Sequence, residues 1–230
     1  IMDTKREIFI GLIKKKLNAY WYSPPEYNLP RIFISELCVN ELSNKSQQII
    51  GSYINNIKND PVDDINLKDV KEVVSFFRKP LWDLPSLRDY KILLKESEYA
   101  SWVIYNRYYL NHYTISVHEL PEGYSTLEEF NDFLLNLGIK LNDSGGLLKT
   151  SKDGLLKQSS TIANRVLAKF KNYEESYIAG SYVEFAERKV LPEYANLKSS
   201  KIKSFHRRDG FETGNADLIF ESTFSNQVKK

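Results

Sequence analysis

The residues best placed to do chemistry in this 230-residue chain are three histidines and one glutamate set among strand formers. His112 lies in Asn111–Val117 (NHYTISV), where Tyr113, Ile115 and Val117 fall on one face of an extended segment. His112, Thr114 and Ser116 fall on the other. Such a histidine is either a hydrogen-bonded core or rim residue or a metal ligand. Glu184 sits in Gly180–Ala186 (GSYVEFA), a segment apolar enough to be largely buried. Burying a lone carboxylate costs several kcal/mol unless a cation, a metal or hydrogen-bond donors compensate it. Arg188 lies four residues along the strand, roughly 13 Å away, so direct pairing needs a bend. A divalent metal suits Glu184 better, and two histidines plus one carboxylate is the facial set of non-haem iron(II) oxygenases. His118, beside Glu119 and Pro121, is expected at the surface. His206, in Phe205-His206-Arg207-Arg208, could touch an anion or be solvated.

These side chains need elements to hold them. Leu17–Tyr22 and Arg31–Leu37 read as strands around the turn Ser23-Pro24-Pro25. Residues 41–58 and 66–78 have helical spacing, with Asn66 or Asp64 as a cap for the second. Pro80–Pro85 interrupts, and Ser86 to Leu110 reads as one long helix whose aromatics signal core packing. After the His112 strand, Thr126 and Glu129 form a capping box, Leu127, Phe130, Phe133, Leu134 and Leu137 form the apolar stripe, and Gly138 ends the helix. Extended segments follow at Gly146–Thr150, Leu155–Thr161 and Tyr177–Ala186, with Val166–Phe170 extending or pairing with them. The order strand–helix–strand–strand–strand is the unit of the vicinal oxygen chelate fold, in which two such units enclose a metal.

Bulk properties narrow the partners. Thirty-two basic residues against 30 acidic give a net charge of +2, no overall field for nucleic acid or membrane. No apolar run reaches the roughly 18 residues of a membrane span. A lone cysteine, Cys38, argues against internal disulfides and for a reducing compartment. The expected location is cytoplasmic, or organellar if an upstream transit peptide exists.

The stretches 17–37, 106–120, 154–166, 177–194 and 207–223, in that order, resemble the 2-oxoadipate dioxygenase/decarboxylase family, with YIAGSYVEFAERKVLPEY and RRDGFETGNADLIFEST the most specific. The resemblance implies an α+β fold of paired vicinal-oxygen-chelate-like modules with additional helices. It also implies Fe(2+) held by two histidines and a glutamate, with no organic cofactor. The histidine of the family's Asn-His-x-Thr strand falls on His112, and the glutamate of its Tyr-x-Glu-Phe strand on Glu184. The family's first ligand, in an early Asp-His-x-x-x-Arg motif, has no counterpart before His112. Ile1 preceding Met2 favours truncation as the explanation; natural loss is the alternative.

The expected organisation is one domain over 1–230: strands at about 17–37, a helical insertion at about 41–110, the second module at about 111–190, and a C-terminal segment 191–230. The implied reaction takes a 2-oxo dicarboxylic acid, 2-oxoadipate, and O2 to 2-hydroxyglutarate and carbon dioxide. Gln158 and Ser160 share a strand face that either binds a substrate carboxylate or meets solvent. Arg188, Arg207 and Arg208 are candidates for the far carboxylate or for the surface. The competing readings are an inactive binding module of this fold and a glyoxalase-like metal-dependent lyase or isomerase.

Overall fold

The computed structural model describes residues 6–12, 16–22, 24, 26, 29–224 and 228. At the N-terminal end, β1 (Arg6–Leu12), β2 (Leu17–Tyr22) and β3 (Ile32–Leu37) form an antiparallel sheet. Ser23 and Pro25 of the expected turn lie outside the described residues. Strand alternation puts Leu17, Ala19 and Trp21 inward, and Leu17 and Ala19 pack on Ala216 and Phe220 of a C-terminal helix. Phe33 stacks on Phe211 with centroids 4.6 Å apart, tying the same regions together.

Four helices follow. α1 (Asn44–Ile54) starts at Ser43, whose hydroxyl accepts from Ser46 N. α2 (Val70–Arg78) is capped by Asp69 rather than by Asn66 or Asp64, because the Asp69 carboxylate accepts from Lys71 N. The single helix expected from Ser86 to Leu110 is two, α3 (Leu87–Glu96) and α4 (Glu98–Asn106). Ser97 breaks it: its backbone is extended (φ −149°, ψ 112°) and its side chain caps the second helix through Ala100 N. Leu93, Ala100 and Ile104 then close a core with Phe170 and Ile178.

The second sheet holds β4 (His112–Ser116), β5 (Lys149–Thr150), β6 (Leu156–Ser160) and β9 (Tyr182–Arg188) in the order β4-β9-β6-β5. β4 runs parallel to β9 and the other pairs are antiparallel. β7 (Arg165–Lys169) and β8 (Glu175–Ala179) make a separate ribbon. The extended run expected from Tyr177 to Ala186 is therefore split between two sheets. The split falls at Gly180, where a Cβ would sit 2.9 Å from Val166 Cγ2, so only glycine lets the ribbon approach there.

The back of this sheet is covered by α5 (Leu127–Asn136), which carries the expected Thr126–Glu129 capping box and ends before Gly138 at φ +77°. Leu127 and Leu134 pack there with Val117, Leu141 and Phe185. The front is crossed by α6 (Thr213–Phe220), which lies between the two sheets through Ala216, Ile219 and Phe220.

Candidate metal centre

The β4–β9 and β6–β9 registers decide which side chains meet. Thr114 and Ser160 flank Glu184, and His112 lies opposite Tyr182, so His112, Tyr182, Glu184, Gln158 and Ser160 all project from the front face. His112 Nε2 lies 3.4 Å from Glu184 Oε2. The two side chains are 15% and 9% exposed, so water screens them little.

The protonation pattern makes this contact informative. Burial pushes the His112 imidazole down in pKa, only partly offset by Glu184, which favours the neutral ring. Nδ1 lies 3.0 Å from Asn111 Oδ1, and in the tautomer whose Nδ1 donates to that oxygen Nε2 presents a lone pair. A lone pair and a carboxylate oxygen thus face each other in a buried setting, an arrangement that a cation between them satisfies. Metal–N and metal–O bonds of about 2.1 Å span such a gap.

Glu187, on the opposite face of the same strand, shows how a buried carboxylate is otherwise accommodated. It accepts from Leu127 N at 2.9 Å, at the N-terminus of α5, whose dipole favours negative charge. Glu184 has no helix terminus. Among the described residues its hydrogen-bond donor is Gln158 Nε2, 2.6 Å from Oε1.

Asn215 and Tyr182, which orient this pair, escaped the sequence reading. Gln158 Oε1 accepts from Asn215 Nδ2 at 2.9 Å, and the same amide reaches Lys149 O at 3.2 Å, so α6 fixes the glutamine that fixes Glu184. Tyr182 stacks on the His112 ring (centroids 4.8 Å, interplanar 17°), and its buried hydroxyl has no hydrogen-bond partner among the described residues. Asn215 stood in plain sight within Gly214-Asn215-Ala216, but nothing local in the sequence pairs it with a glutamine 57 residues earlier.

The remaining candidates are placed differently. Ser160 is fully buried, and its hydroxyl is 2.9 Å from Ser222 Oγ in a cluster with Asn142. Arg188 donates from one guanidinium nitrogen to the carbonyls of Arg208 and Gly210, and burial lowers its pKa to about 10. Arg208 is paired with Asp153 (3.3 Å) and Glu212 (3.1 Å). Arg207 donates to Arg188 O. His206 Nδ1 accepts from Lys203 N in a surface turn.

His118 corrects an expectation. Its side chain is only 9% exposed, its Nδ1 accepts from Arg188 N at 3.1 Å, and burial reinforced by Arg207 lowers its pKa to about 4. Among the described residues no third His, Cys, Asp or Glu joins His112 and Glu184.

Three strands and a helix thus surround a neutral histidine and a carboxylate. A glyoxalase superfamily protein from Ralstonia eutropha superposes with a TM-score of 0.66 over 90% of this chain and 65% of its own; at 19% identity this likeness concerns the fold alone. A family model described as 2-oxoadipate dioxygenase/decarboxylase matches residues 5–199, and the chain belongs to that family.

The chain is 44% identical over 227 residues to a chloroplastic 2-oxoadipate dioxygenase/decarboxylase of Arabidopsis thaliana. It is 45% identical over 228 residues to a chloroplastic/amyloplastic one of Oryza sativa subsp. japonica. It covers 94% of itself in both matches but spans only 59% and 60% of those relatives' lengths. The crystal structure of an Oryza sativa hydroxyglutarate synthase in complex with 2-oxoadipate superposes with a TM-score of 0.90 at 42% identity, over all of this chain and 74% of that one. Membership of a dioxygenase family points to a metal cofactor. The plastid designations of both plant relatives overturn the cytoplasmic expectation. A single cysteine speaks to a reducing environment, which does not distinguish between compartments.

Proposed function

We propose that the protein is an iron(II)-dependent oxygenase that converts 2-oxoadipate and O2 to 2-hydroxyglutarate and carbon dioxide, with His112 and Glu184 as two of the metal's ligands. The stoichiometry closes without a second oxo acid: the substrate's own carbon–carbon bond supplies the electrons, and both oxygen atoms are accounted for in the two products. The observation that carries the reading is the buried, donor-free contact between His112 Nε2 and Glu184 Oε2. The names of the relatives and the 2-oxoadipate bound to the rice structure supply the substrate class.

His112 and Glu184 would help to hold ferrous iron, which would supply the redox-active centre that activates oxygen toward an oxo acid. The chain's own residues prepare that place. Asn111 holds the His112 tautomer, Tyr182 holds its plane, and Gln158, braced by Asn215, holds the Glu184 carboxylate. Ile219 and Phe220 of α6 shield the site from water. Gln158 is the best placed of the substrate candidates, its amide being beside the ligand carboxylate. Ser160, Arg188 and Arg208 support it by packing the elements that carry the site, since their polar groups are engaged within the protein.

A non-catalytic binding module is the second reading, favoured by the lack of a third ligand among the described residues. One experiment separates the two. Iron(II) is titrated anaerobically, then oxygen uptake and 2-hydroxyglutarate formation are followed with 2-oxoadipate, for the native protein and for His112→Ala, Glu184→Ala and His118→Ala. The first two substitutions should each remove turnover and weaken metal binding by at least about 100-fold, more than loss of a supporting residue costs. His118→Ala should retain both. Equal losses for His112 and His118, or metal binding indifferent to Glu184, would sink the assignment. Substrate binding without any turnover in the native protein would favour the second reading.

A further inference from the structure

A second concave site lies apart from the metal centre and shares no residue with it. A cavity of about 990 Å³ opens between the C-terminal end of α2, the Pro80–Leu84 segment, the end of α4 and the tip of the β7–β8 ribbon. That volume is at the upper end of the ~300–1,000 Å³ typical of small-molecule sites.

Its lining combines two chemistries. Arg78, Lys79, Lys169 and Lys171 bring four cations, none of which makes an ion pair with another described residue. Arg107 adds a fifth, but its guanidinium is committed to Trp82 O. Among the described residues Asp83 is the only carboxylate in the lining, which leaves an excess of four positive charges there on a chain whose total is +2. Between these cations stand aromatic faces: Phe77, Tyr109 and Tyr173 are 59%, 69% and 97% exposed.

The backbone adds an independent observation. Four described non-glycine residues have positive φ, and three of them, Arg107 (+59°), Asn172 (+65°) and Tyr173 (+63°), line this one cavity. At the ribbon tip, Phe170 N bonds Glu174 O around two consecutive positive-φ residues, the conformation that hairpin turns reserve for Asn-Gly. A tyrosine occupies the place where glycine is least strained, and among the described residues its exposed side chain packs on nothing that would repay the strain. Strain of this kind gathers where a side chain must be presented to a ligand.

We infer that this cavity binds a nucleotide, with its phosphates among the four unpaired cations and its base stacked on the exposed rings, Tyr173 foremost. Cations alone would suit any anion and rings alone any apolar body. Their interleaving around one cavity selects an aromatic ligand that carries concentrated negative charge.

The test is equilibrium titration of the full 230-residue chain with ATP, adenosine, inorganic tripolyphosphate and a polyglutamate peptide, at low and at physiological salt. ATP should bind saturably and more weakly as salt rises. Adenosine and tripolyphosphate should each bind at least about tenfold more weakly than ATP, because each lacks one half of the recognition. Tyr173→Gly should weaken ATP binding about tenfold while leaving the thermal midpoint equal or higher, a split that a structural role for the tyrosine would not produce. Arg78→Glu combined with Lys171→Glu should abolish measurable binding. Three results would each overturn the inference: no saturable ATP binding, tripolyphosphate binding as tight as ATP and indifferent to Tyr173→Gly, or polyglutamate binding in place of ATP.

Discussion

Glu184→Gln tests the metal-ligand reading by its effect in the absence of metal. In the metal-free protein, Glu184 Oε1 accepts from Gln158 and Oε2 faces the unprotonated Nε2 of His112. Glutamine at 184 keeps its carbonyl on Gln158 and turns its amide toward His112 Nε2, replacing two facing acceptors with a donor and an acceptor. One buried hydrogen bond is gained and one buried charge is removed, worth about 1–2 kcal/mol of added stability. For a chain of this size that is roughly 2–8 °C in Tm. Metal reverses the order. A ligand saturating the native site at 100 times its Kd adds about 2.7 kcal/mol, and the variant, lacking the charge, should gain almost none. Chemical denaturation with chelator present, then with iron(II) under anaerobic conditions, reads both numbers. If Glu184 instead balanced a buried guanidinium, the variant would lose about 3–5 kcal/mol without metal. Arg188 gives its guanidinium to two backbone carbonyls rather than to Glu184, so that loss is not expected. Observing it with metal affinity intact would refute the assignment.

Two further outcomes follow from the same geometry. His118 is held neutral in the fold, with a pKa near 4 against 6.5 for the free side chain, so the unfolded chain binds the extra proton between those values. Stability should be fully present above about pH 6.5 and fall by about 3 kcal/mol as pH drops to 4; His118→Asn, whose side-chain oxygen can still accept from Arg188 N, should flatten that slope, and an unchanged slope in urea melts would show that other groups dominate. Asn215→Ala should cost about 1–3 kcal/mol by stranding the buried oxygens of Gln158 and Lys149, and should weaken metal binding about 10–100-fold although it removes no ligand. A melt and a metal titration that both match the native protein would show that Gln158 needs no brace.

What could be read from the chain and what could not divides by the range of the interaction. The alternation in Asn111–Val117 and the capping box at Thr126 are local patterns, and both the strand and the helix formed where those patterns lie. Glu184 stood out because a carboxylate among Tyr182, Val183, Phe185 and Ala186 has no local reason to be there. The break at Ser97 was hidden because aromatic spacing continues across it, while one serine supplies the cap that restarts the helix. The split at Gly180 was hidden because the reason for it, Val166 packed against the backbone, lies on another strand.

The misreading of His118 has the same origin and shows what sets the site apart. Beside Glu119 and Pro121 the sequence looks like a strand end at the surface. The groups that bury it and lower its pKa, Arg188 and Arg207, arrive from 70 and 89 residues away. His112 is buried by similarly remote elements, Tyr182 and Phe220, yet differs in one respect. The Nδ1 of His118 is consumed by a backbone N–H and its Nε2 looks toward an exposed Glu119 carboxylate, so the ring is spent on structure. The Nδ1 of His112 donates to its own neighbour Asn111, which leaves Nε2 as an unspent lone pair aimed at a buried carboxylate. Two buried histidines on one short stretch of chain are thus separated by which nitrogen is left free and what it faces, and that difference is why the proposed metal site is built on His112 and not on His118.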